Sequence, residues 1–473
     1  MDYDEIEKSE KMEQRKRKIQ EYIENKKYVP MKRKDICVLL EVPKGDRGDF
    51  EEIIAQLLKE GKIVETKKGK LMSPKTLGVE VGIFLAHSRG YGFIEREEGE
   101  DIFVPANKVN GAMHRDKVLY HINKKSSSIR KSEGEVVGIL KRENEKIVGT
   151  FQQAHGFGFV IPDDKKLTQD IFIPEKDSMG AVTGHKVVVE IRKYGDEERK
   201  PEGVILEILG HINDPGVDIL SIIKQYDLPV DFPEDVYKQI KKINIEVLPE
   251  ELEGREDFRS WKTVTIDGED AKDLDDAVSL EMLPNGNFQL GVHIADVSHY
   301  VKEDTPLDKE AYQRGTSVYL VDRVIPMLPH KLSNGICSLN PKEDRLTLSC
   351  VMEIDNKGKV VNHRIVKSVI HSDRRMSYTI VREILEDKTP ALLQEYADFI
   401  EMFENMNRLR MLLGEKRKKR GSVNFDLPES KIILDENGIP TEIKPYERSI
   451  ATNLIEEFML ICNETVAEDF FWQ

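Results

Sequence analysis

The chain has 473 residues, of which 39% are hydrophobic and 34% charged, and its formal net charge is −15. This length is too great for a single hydrophobic core and predicts about three to five domains. The composition argues against a membrane-spanning protein, because no apolar run approaches the roughly 18 residues that a transmembrane helix needs.

The N-terminus and the cysteines indicate a cellular compartment. The first residues, MDYDEIEKSEKMEQRKRK, lack the apolar segment of a signal peptide, so export is not expected. The four cysteines are scattered without CxxC spacing, which argues against zinc ribbons and a disulfide framework. We therefore expect a reducing, cytoplasmic environment.

Residues 1–78 have the pattern of a winged-helix domain. Apolar residues recur at helical spacing in three segments, followed by GKIVETKKGKLM (61–72), which alternates around a Lys-Lys-Gly turn as a hairpin would. The apolar residues that predict the three helices are Ile19, Tyr22 and Ile23 in the first, Ile36, Val38 and Leu39 in the second, and Phe50, Ile53, Ile54, Leu57 and Leu58 in the third. The pattern leaves function open, because such domains dock proteins as often as they read nucleic acids.

The next segment contains an internal repeat. GIFLAHSRGYGFI (82–94) with DIFVP recurs as GTFQQAHGFGFVI (149–161) with DIFIP, and GAMHRDKV recurs as GAVTGHKV. Two copies of one unit predict two similar domains in tandem, at residues 79–145 and 146–212. Each copy alternates apolar and polar residues with glycines at tight bends, as the strands of a small β-barrel do.

Aromatic residues occupy matching strand positions in both copies. They are Tyr91, Phe93 and Phe103 in the first copy, and Phe157, Phe159 and Phe172 in the second. On an open barrel face, such rings stack nucleic-acid bases at about 1 to 3 kcal/mol each. Taken singly, an aromatic at a strand position is more often a core residue, but the paired, glycine-separated pattern in both copies favours binding. The units resemble cold-shock domains, a type of oligonucleotide-binding (OB) barrel, and the Y/F-G-F pairs resemble the RNA-binding strand of those domains.

A helical connector with several prolines is predicted at 213–255, and a mixed α/β region at 256–473. That region begins with TVTIDGEDAKDLDDAVSLE, where Val264 to Ile266 and Ala277 to Leu280 read as two strands. The loop between them carries four aspartates, Asp267, Asp273, Asp275 and Asp276, with Asp270 as a further candidate. Crowded carboxylates repel one another, so a fold that gathers them commonly does so around a divalent cation, here magnesium.

The aspartate-rich loop has two other interpretations, a solvated acidic turn and an EF-hand. A solvated acidic turn stays open on the residues alone. An EF-hand does not fit, because its loop needs glycine at the sixth position and glutamate at the twelfth. Counting from Asp267, those positions hold Lys272 and Val278.

Four ordered motifs together resemble the catalytic (RNB) domain of the ribonuclease II superfamily. They are the aspartate spacing, GVHIADVSHYV (291–301), RGTSVYL (314–320) and PMLPHKLSNGICSLNP (326–341). Within that superfamily, the preceding domains resemble the ribonuclease R branch. The predicted fold is thus a multidomain α+β protein with a winged helix, two cold-shock barrels and an RNB domain.

The resemblance implies roles for particular residues. Asp267, Asp273 and Asp276 would mainly bind two magnesium ions, and Asp275 would be most closely tied to catalysis. Tyr319 matches the aromatic that packs on a terminal nucleotide, although a tyrosine in the core of a strand is the alternative. Phe425, in RGSVNFDLP, resembles a second stacking aromatic.

The implied function is processive 3′-to-5′ hydrolysis of single-stranded RNA to nucleoside 5′-monophosphates, and the sequence leaves open whether structured RNA is also a substrate. The net charge of −15 disfavours a nucleic-acid binder, and the basic runs at 15–18, 32–34 and 416–420 read alone as solvated helix faces. Local charge nevertheless decides binding. Expected partners are RNA and, as a weaker hypothesis, the ribosome or RNA-decay machinery; we expect no membrane contact and a monomer.

Members of the superfamily continue beyond the segment matched by Asn453 to Ala467 with an arginine near the scissile phosphate and an S1-type barrel. This sequence ends at Gln473, and we therefore expect an incomplete catalytic domain. Two hypotheses follow: an active exoribonuclease, or an RNA-binding fragment with impaired catalysis. A third, a docking module led by the winged helix, is weaker.

Overall fold

The computed structural model describes residues 3–25, 27–66, 68–124, 132–195, 199–423, 430–436, 438–445 and 448–473. The chain divides into two compact units, Met1–Asp227 and Leu228–Gln473. The division falls inside the segment predicted as a connector. None of the helices in the described part of the chain combines the length and hydrophobicity that a bilayer crossing requires.

The first unit begins with helices and a small antiparallel sheet of strand order β1-β3-β2. The elements are α1 (Tyr3–Glu24), β1 (Met31–Lys32), α2 (Arg33–Leu39), α3 (Arg47–Glu60), β2 (Val64–Glu65), β3 (Lys70–Met72) and α4 (Pro74–Leu77). Ile19, Ile36 and Phe50 meet in one core. Val38 and Leu39 instead are 73% and 54% exposed, so helical spacing alone was wrong about their burial. The winged-helix assignment stays a prediction.

Each sequence repeat forms a closed five-stranded barrel. The first has strand order β4-β5-β6-β8-β7, and the second has the equivalent order β9-β10-β11-β13-β12. The first comprises β4 (Glu80–Ala86), β5 (Gly92–Glu95), β6 (Ile102–Val104), β7 (Lys117–Lys124) and β8 (Glu133–Lys141). The second comprises β9 (Lys146–Ala154), β10 (Phe157–Pro162), β11 (Ile171–Pro174), β12 (His185–Lys193) and β13 (Glu202–His211), and α5 (Val217–Gln225) follows it. The tandem barrels predicted from the repeat are confirmed.

The glycine between the two aromatics of each copy has a packing role. A side chain on Gly92 would overlap the ring of Phe84, and one on Gly158 would overlap the ring of Phe151. Both phenylalanines are buried in the cores of their barrels. The repeated Y/F-G-F motif therefore places a core ring beneath the glycine and leaves its two neighbours facing outward.

The second unit is built on a seven-stranded sheet of order β14-β21-β20-β17-β16-β15-β22. Its first half comprises α6 (Glu234–Ile240), β14 (Glu256–Asp257), β15 (Thr263–Asp267), β16 (Asp276–Met282), β17 (Phe288–Ala295), α7 (Val297–Tyr300), α8 (Pro306–Arg314), β18 (Val318–Tyr319) and β19 (Val324–Ile325). Its second half comprises β20 (Asp344–Ile354), β21 (Val360–His371), β22 (Arg374–Ser377), α9 (Tyr378–Arg382), α10 (Pro390–Glu395), α11 (Ile400–Arg420), β23 (Ser430–Leu434), β24 (Pro440–Pro445) and α12 (Ile450–Trp472).

The central strands of this sheet are buried on both faces. One face packs against α11 and α12, with Val278, Phe403 and Phe458 in a shared core. The other face buries Ala277, Leu274 and neighbouring residues in a second cluster. Residues 263–266 of β15 and 277–280 of β16 are accordingly buried without interruption, small polar residues such as Thr265 and Ser279 included.

Candidate active site

The four predicted aspartates lie at one edge of the large sheet. Asp267 is the last residue of β15 and Asp276 is the first residue of β16. These strands are antiparallel neighbours, with Val264 opposite Val278. In an antiparallel pair, β15 ends and β16 begins at the same end of the sheet. The connecting loop and its carboxylates therefore lie at that end.

Three distant parts of the chain hold this loop in place. Arg375, on the neighbouring strand β22, donates hydrogen bonds to the carbonyl oxygens of Glu269 and Ala271, both at 2.7 Å. The Ser338 hydroxyl donates to the Lys272 carbonyl at 3.1 Å and accepts from the Leu274 amide at 3.0 Å. Beyond them, the Ala295 amide donates to the Asp275 carbonyl at 3.0 Å. The backbone that presents the aspartates is therefore anchored along its length.

The carboxylates perturb one another. Burial, followed by the charge of Asp276, raises the pKa of Asp267 to about 6, although Arg375 opposes the shift. Partial loss of hydration, and then a neighbouring carboxylate, also raises the pKa of Asp275 and of Asp276. One oxygen of Asp267 is buried without a hydrogen-bond partner. A cation bound beside these carboxylates would offset both their mutual repulsion and the cost of burying their charge.

The donor chemistry of the loop fits a divalent cation. Carboxylate oxygens are the ligands that magnesium prefers, and the unpartnered oxygen of Asp267 is a ready donor. Among the described residues, however, no three His, Cys, Asp or Glu side chains converge closely enough to hold one ion between them. Rotation of the carboxylates, or oxygens from water or a phosphate, would have to complete the coordination.

Tyr319 lies beside the aspartate loop. It belongs to the short ribbon of β18 and β19, and its side chain is 67% exposed. Its hydroxyl donates a hydrogen bond to Asp273 at 2.9 Å. Partial burial, and then the hydrogen bond to Asp273, raises the pKa of the Tyr319 hydroxyl. The exposed ring argues against the alternative of a strand-core tyrosine.

The aromatic residues of the barrels form two outward-facing clusters. Phe93 pairs across the strands with Phe103, and Phe159 pairs with Phe172. All six rings are at least partly exposed, whereas the residues that alternate with them are buried. In the first cluster, His87 also stacks on Tyr91 with ring centroids 4.4 Å apart. Each cluster thus offers several adjacent ring surfaces to a ligand.

Comparisons with known proteins agree with this arrangement. Family models match residues 82–139 (Ribonuclease B OB domain), 159–233 (Cold shock domain) and 255–473 (RNB domain). The chain is 44% identical to Ribonuclease R of Thermotoga maritima and 36% identical to that of Escherichia coli, over 96% and 93% of its own length. Over most of its length the chain is therefore homologous to proteins named ribonuclease R, and residues 255–473 match the RNB domain.

The chain spans 64% of the length of the Thermotoga relative and 54% of that of the Escherichia relative. A solved structure of Mycoplasma genitalium RNase R with ribose-methylated single-stranded RNA matches with a TM-score of 0.75 at 27% identity. That match covers 83% of this chain and 62% of the solved one. Yeast Ssd1, described as a pseudonuclease, has the same fold at 18% identity and a TM-score of 0.60, so the fold by itself does not establish catalysis.

Other residues that match ribonuclease R motifs have structural contacts. His293 is fully buried between the hydroxyls of Ser279 and Ser349, at 2.9 and 2.6 Å, and burial lowers its pKa to about 3. Asp296 forms a buried ion pair with Arg255 at 2.6 Å. These contacts stabilise the sheet and its edge.

Arg345 and Asp270 do not join the aspartate cluster. Arg345 is buried and donates to the carbonyl oxygens of Ser338 and Gly335, which fixes the segment that anchors the loop. Asp270 is exposed, with Lys431 at 3.6 Å. Phe425, predicted as a second stacking aromatic, lies outside the described residues.

Sequence reasoning missed Arg375 and Ser338, which anchor the loop. Both act on backbone carbonyl or amide groups, and such contacts leave no spacing pattern in a sequence. Arg375 lies in RRMSY, inside the short strand β22, and no motif in that stretch marks it.

Proposed function

We propose that this chain is a metal-dependent exoribonuclease. It shortens single-stranded RNA from the 3′ end and releases nucleoside 5′-monophosphates. The observation that carries the proposal is the anchored loop of four aspartates with the exposed Tyr319 hydrogen-bonded to Asp273. Homology to ribonuclease R proteins, and the RNA complex of the Mycoplasma neighbour, support it.

Asp267, Asp273 and Asp276 would hold two magnesium ions, and Asp275 would orient the attacking water. When bound, such ions activate water, neutralise the scissile phosphate and stabilise the leaving 3′ oxygen. The chain supplies the fixed geometry, because Arg375 and Ser338 hold the loop backbone in place. Tyr319 would pack its ring on the terminal nucleotide and so limit how short the final product becomes.

The barrels would bind the rest of the strand by stacking. Ring stacking and phosphate contacts carry little base information, so sequence preference should be weak. Contacts to the 2′-hydroxyl would select RNA over DNA. Binding to structured RNA or to the ribosome is a separate prediction that these contacts do not address.

The test is digestion of a 5′-labelled single-stranded RNA with magnesium, beside reactions with EDTA and with Asp275→Asn. We expect a ladder that collapses to a very short 5′-labelled product. EDTA should abolish it, and Asp275→Asn should slow it by at least about 100-fold, the usual effect of losing a group that stabilises the transition state. Asp270→Asn is the matched control, because it removes the same charge from the same loop outside the cluster.

The outcomes separate the proposal from its rival. Equal loss of activity in Asp270→Asn and Asp275→Asn would indicate a general charge effect and count against the assigned roles. RNA that is bound in a gel shift but stays intact with magnesium or manganese would overturn the proposal. That result would favour an RNA-binding protein with impaired catalysis.

A further inference from the structure

Arginines from three separate elements of the second unit line a pair of adjoining cavities. Arg382 lies at the end of α9, Arg410 lies on α11, and Arg448 directly precedes the capping residue of α12. All three line a cavity of about 540 Å³. Arg410 and Arg448, together with Asn453, also line a neighbouring cavity of about 400 Å³. The shared residues make the two cavities one groove, which we call the arginine groove.

The groove carries a local positive charge on an acidic chain. In the first cavity, Glu386 is the one acidic residue among the described lining residues, against three arginines, and Asp387 lies 3.9 Å from Arg382 outside the lining. In the second, Arg417 is already compensated by Glu457 at 2.7 Å, with Glu456 at 3.7 Å. On a chain of net charge −15, a concave site lined by several arginines attracts an anionic ligand.

The arginine groove adjoins the aspartate loop. Thr379, which lines the first cavity, forms a side-chain hydrogen bond with Glu269 of the loop. In addition, β22, which carries the loop-anchoring Arg375, runs directly into α9. The groove contacts the loop at Glu269, whereas Tyr319 contacts it at Asp273. A strand whose 3′ nucleotide lies at Tyr319 would therefore reach the groove with its next phosphates.

We propose that Arg382, Arg410 and Arg448 bind backbone phosphates of the RNA strand on the 5′ side of the scissile linkage. This inference rests on the proposed function. Guanidinium groups suit the task, because their planar donors form paired, charge-assisted hydrogen bonds with phosphate oxygens. The three arginines are positioning residues. They hold the strand in register while the aspartates act on its end.

The first test measures binding without cleavage. A 5′-fluorescent single-stranded RNA is titrated in EDTA against the wild-type chain, the single variants R382Q, R410Q and R448Q, and the triple variant. Each single change should weaken binding about tenfold, as expected for loss of a charged hydrogen bond. The salt dependence of log K should become shallower by about 0.7 for each phosphate that the variant no longer neutralises.

R408Q is the matched control. Arg408 lies on the same helix two residues from Arg410, but it packs over the ring of Phe288 instead of lining the groove. It should leave both affinity and salt dependence unchanged. Tryptophan fluorescence during unfolding checks that each variant is folded, since both tryptophans, Trp261 and Trp472, lie in this unit.

The second test locates the contact along the RNA. A single neutral methylphosphonate linkage is moved stepwise from the 3′ end. In the wild type, neutral linkages at one or two positions should weaken binding about tenfold. In the triple variant, the same substitutions should have no further effect, because the partner charges are already absent. A purely structural role of the arginines would not produce this loss of sensitivity.

The two proposals fail in different ways. A triple variant that binds RNA like the wild type, or that keeps the full methylphosphonate penalty, overturns the groove assignment even if the wild type digests RNA. A wild type that shows the arginine-dependent binding yet never cleaves RNA supports the groove and overturns the proposed exonuclease activity.

Discussion

Asp267, a proposed metal ligand, is placed where its carboxylate weakens the fold at neutral pH. Its pKa is raised to about 6 by burial and by Asp276, and one of its oxygens has no partner. The folded state therefore binds this proton more tightly than the unfolded chain, whose aspartates titrate near 3.8. The stability contributed by the protonated carboxyl is fully present below about pH 4 and is lost as the pH rises through 6.

Asp267→Asn should accordingly stabilise the second unit at pH 7.5 in EDTA, by about 1 to 3 kcal/mol, while abolishing RNA hydrolysis. The advantage should shrink at pH 4.5, where the wild-type carboxyl is protonated. Urea unfolding followed by tryptophan fluorescence measures both values. Asp270→Asn, in an exposed position, should change stability little at either pH. A variant less stable than the wild type at pH 7.5 would contradict the repulsion argument.

Tyr319 offers two separable groups, a ring and a hydroxyl. If the ring limits the final product, Tyr319→Ala should lengthen the shortest 5′-labelled fragment by at least one nucleotide, whereas Tyr319→Phe should leave its length unchanged. The Tyr319→Phe change removes only the hydrogen bond to Asp273, so it should affect rate rather than product length. High-resolution denaturing gels measure both. An unchanged product length in Tyr319→Ala would show that another group sets the limit.

At the scale of elements, the site depends on strand order. The loop joins β15 to β16, but its anchor Arg375 comes from β22, which pairs in parallel with β15 from more than one hundred residues away. A rigid sheet can hold carboxylates at fixed positions only if the connecting loop is also tied down. Arg375 provides that tie through two backbone carbonyl groups.

Arg375→Gln should raise the magnesium concentration that gives half-maximal activity about tenfold, because the loop backbone loses its donors. Arg375→Lys keeps the positive charge near Asp267 without the forked geometry, and it should recover only part of the loss. Metal titrations of the RNA-cleavage rate measure these shifts. Arg374→Gln, an exposed neighbour on the same strand, is the control. Full recovery in Arg375→Lys would mean that charge, not geometry, is the contribution.

At the scale of the whole molecule, the aromatic clusters proposed to stack bases and the candidate catalytic residues lie in different compact units. The barrel clusters belong to residues 1–227 and the aspartates to residues 228–473. A long RNA offers bases to both sets of residues, whereas a five-nucleotide RNA offers few beyond those that would bind at the aspartates. Substrate length should therefore separate their contributions.

Replacing Phe157 and Phe172 by alanine should raise KM for a long single-stranded RNA about tenfold or more, since each stacked base contributes roughly 1 to 3 kcal/mol. The same variant should digest a five-nucleotide RNA as the wild type does. Tyr226→Ala is the control, because Tyr226 is 67% exposed in the same unit but outside the clusters. Steady-state rates on both substrates provide the comparison, and an equal effect on the short RNA would argue against a stacking role.

Local patterns were sufficient for much of this protein. The repeat predicted two barrels because each barrel closes on its own strands, and β-strand alternation placed Phe93 and Phe159 on outward positions. The two aspartates that end β15 and begin β16 were also predictable, because the loop and both strands are contiguous in sequence. The four motifs that indicated the family were readable because each is also one contiguous stretch of sequence.

Only the tertiary structure decided which distant residues meet. The exposure of Val38 and Leu39, the anchoring by Arg375 and Ser338, and the hydrogen bond from Tyr319 to Asp273 all depend on packing between separate elements. The arginine groove gathers side chains from three segments 28 to 66 residues apart: the end of α9, α11 and the residue before the N-cap of α12. Periodicity records which face of one element is apolar, but it holds no information on which faces come together, because that is set by the free energy of the whole packed unit.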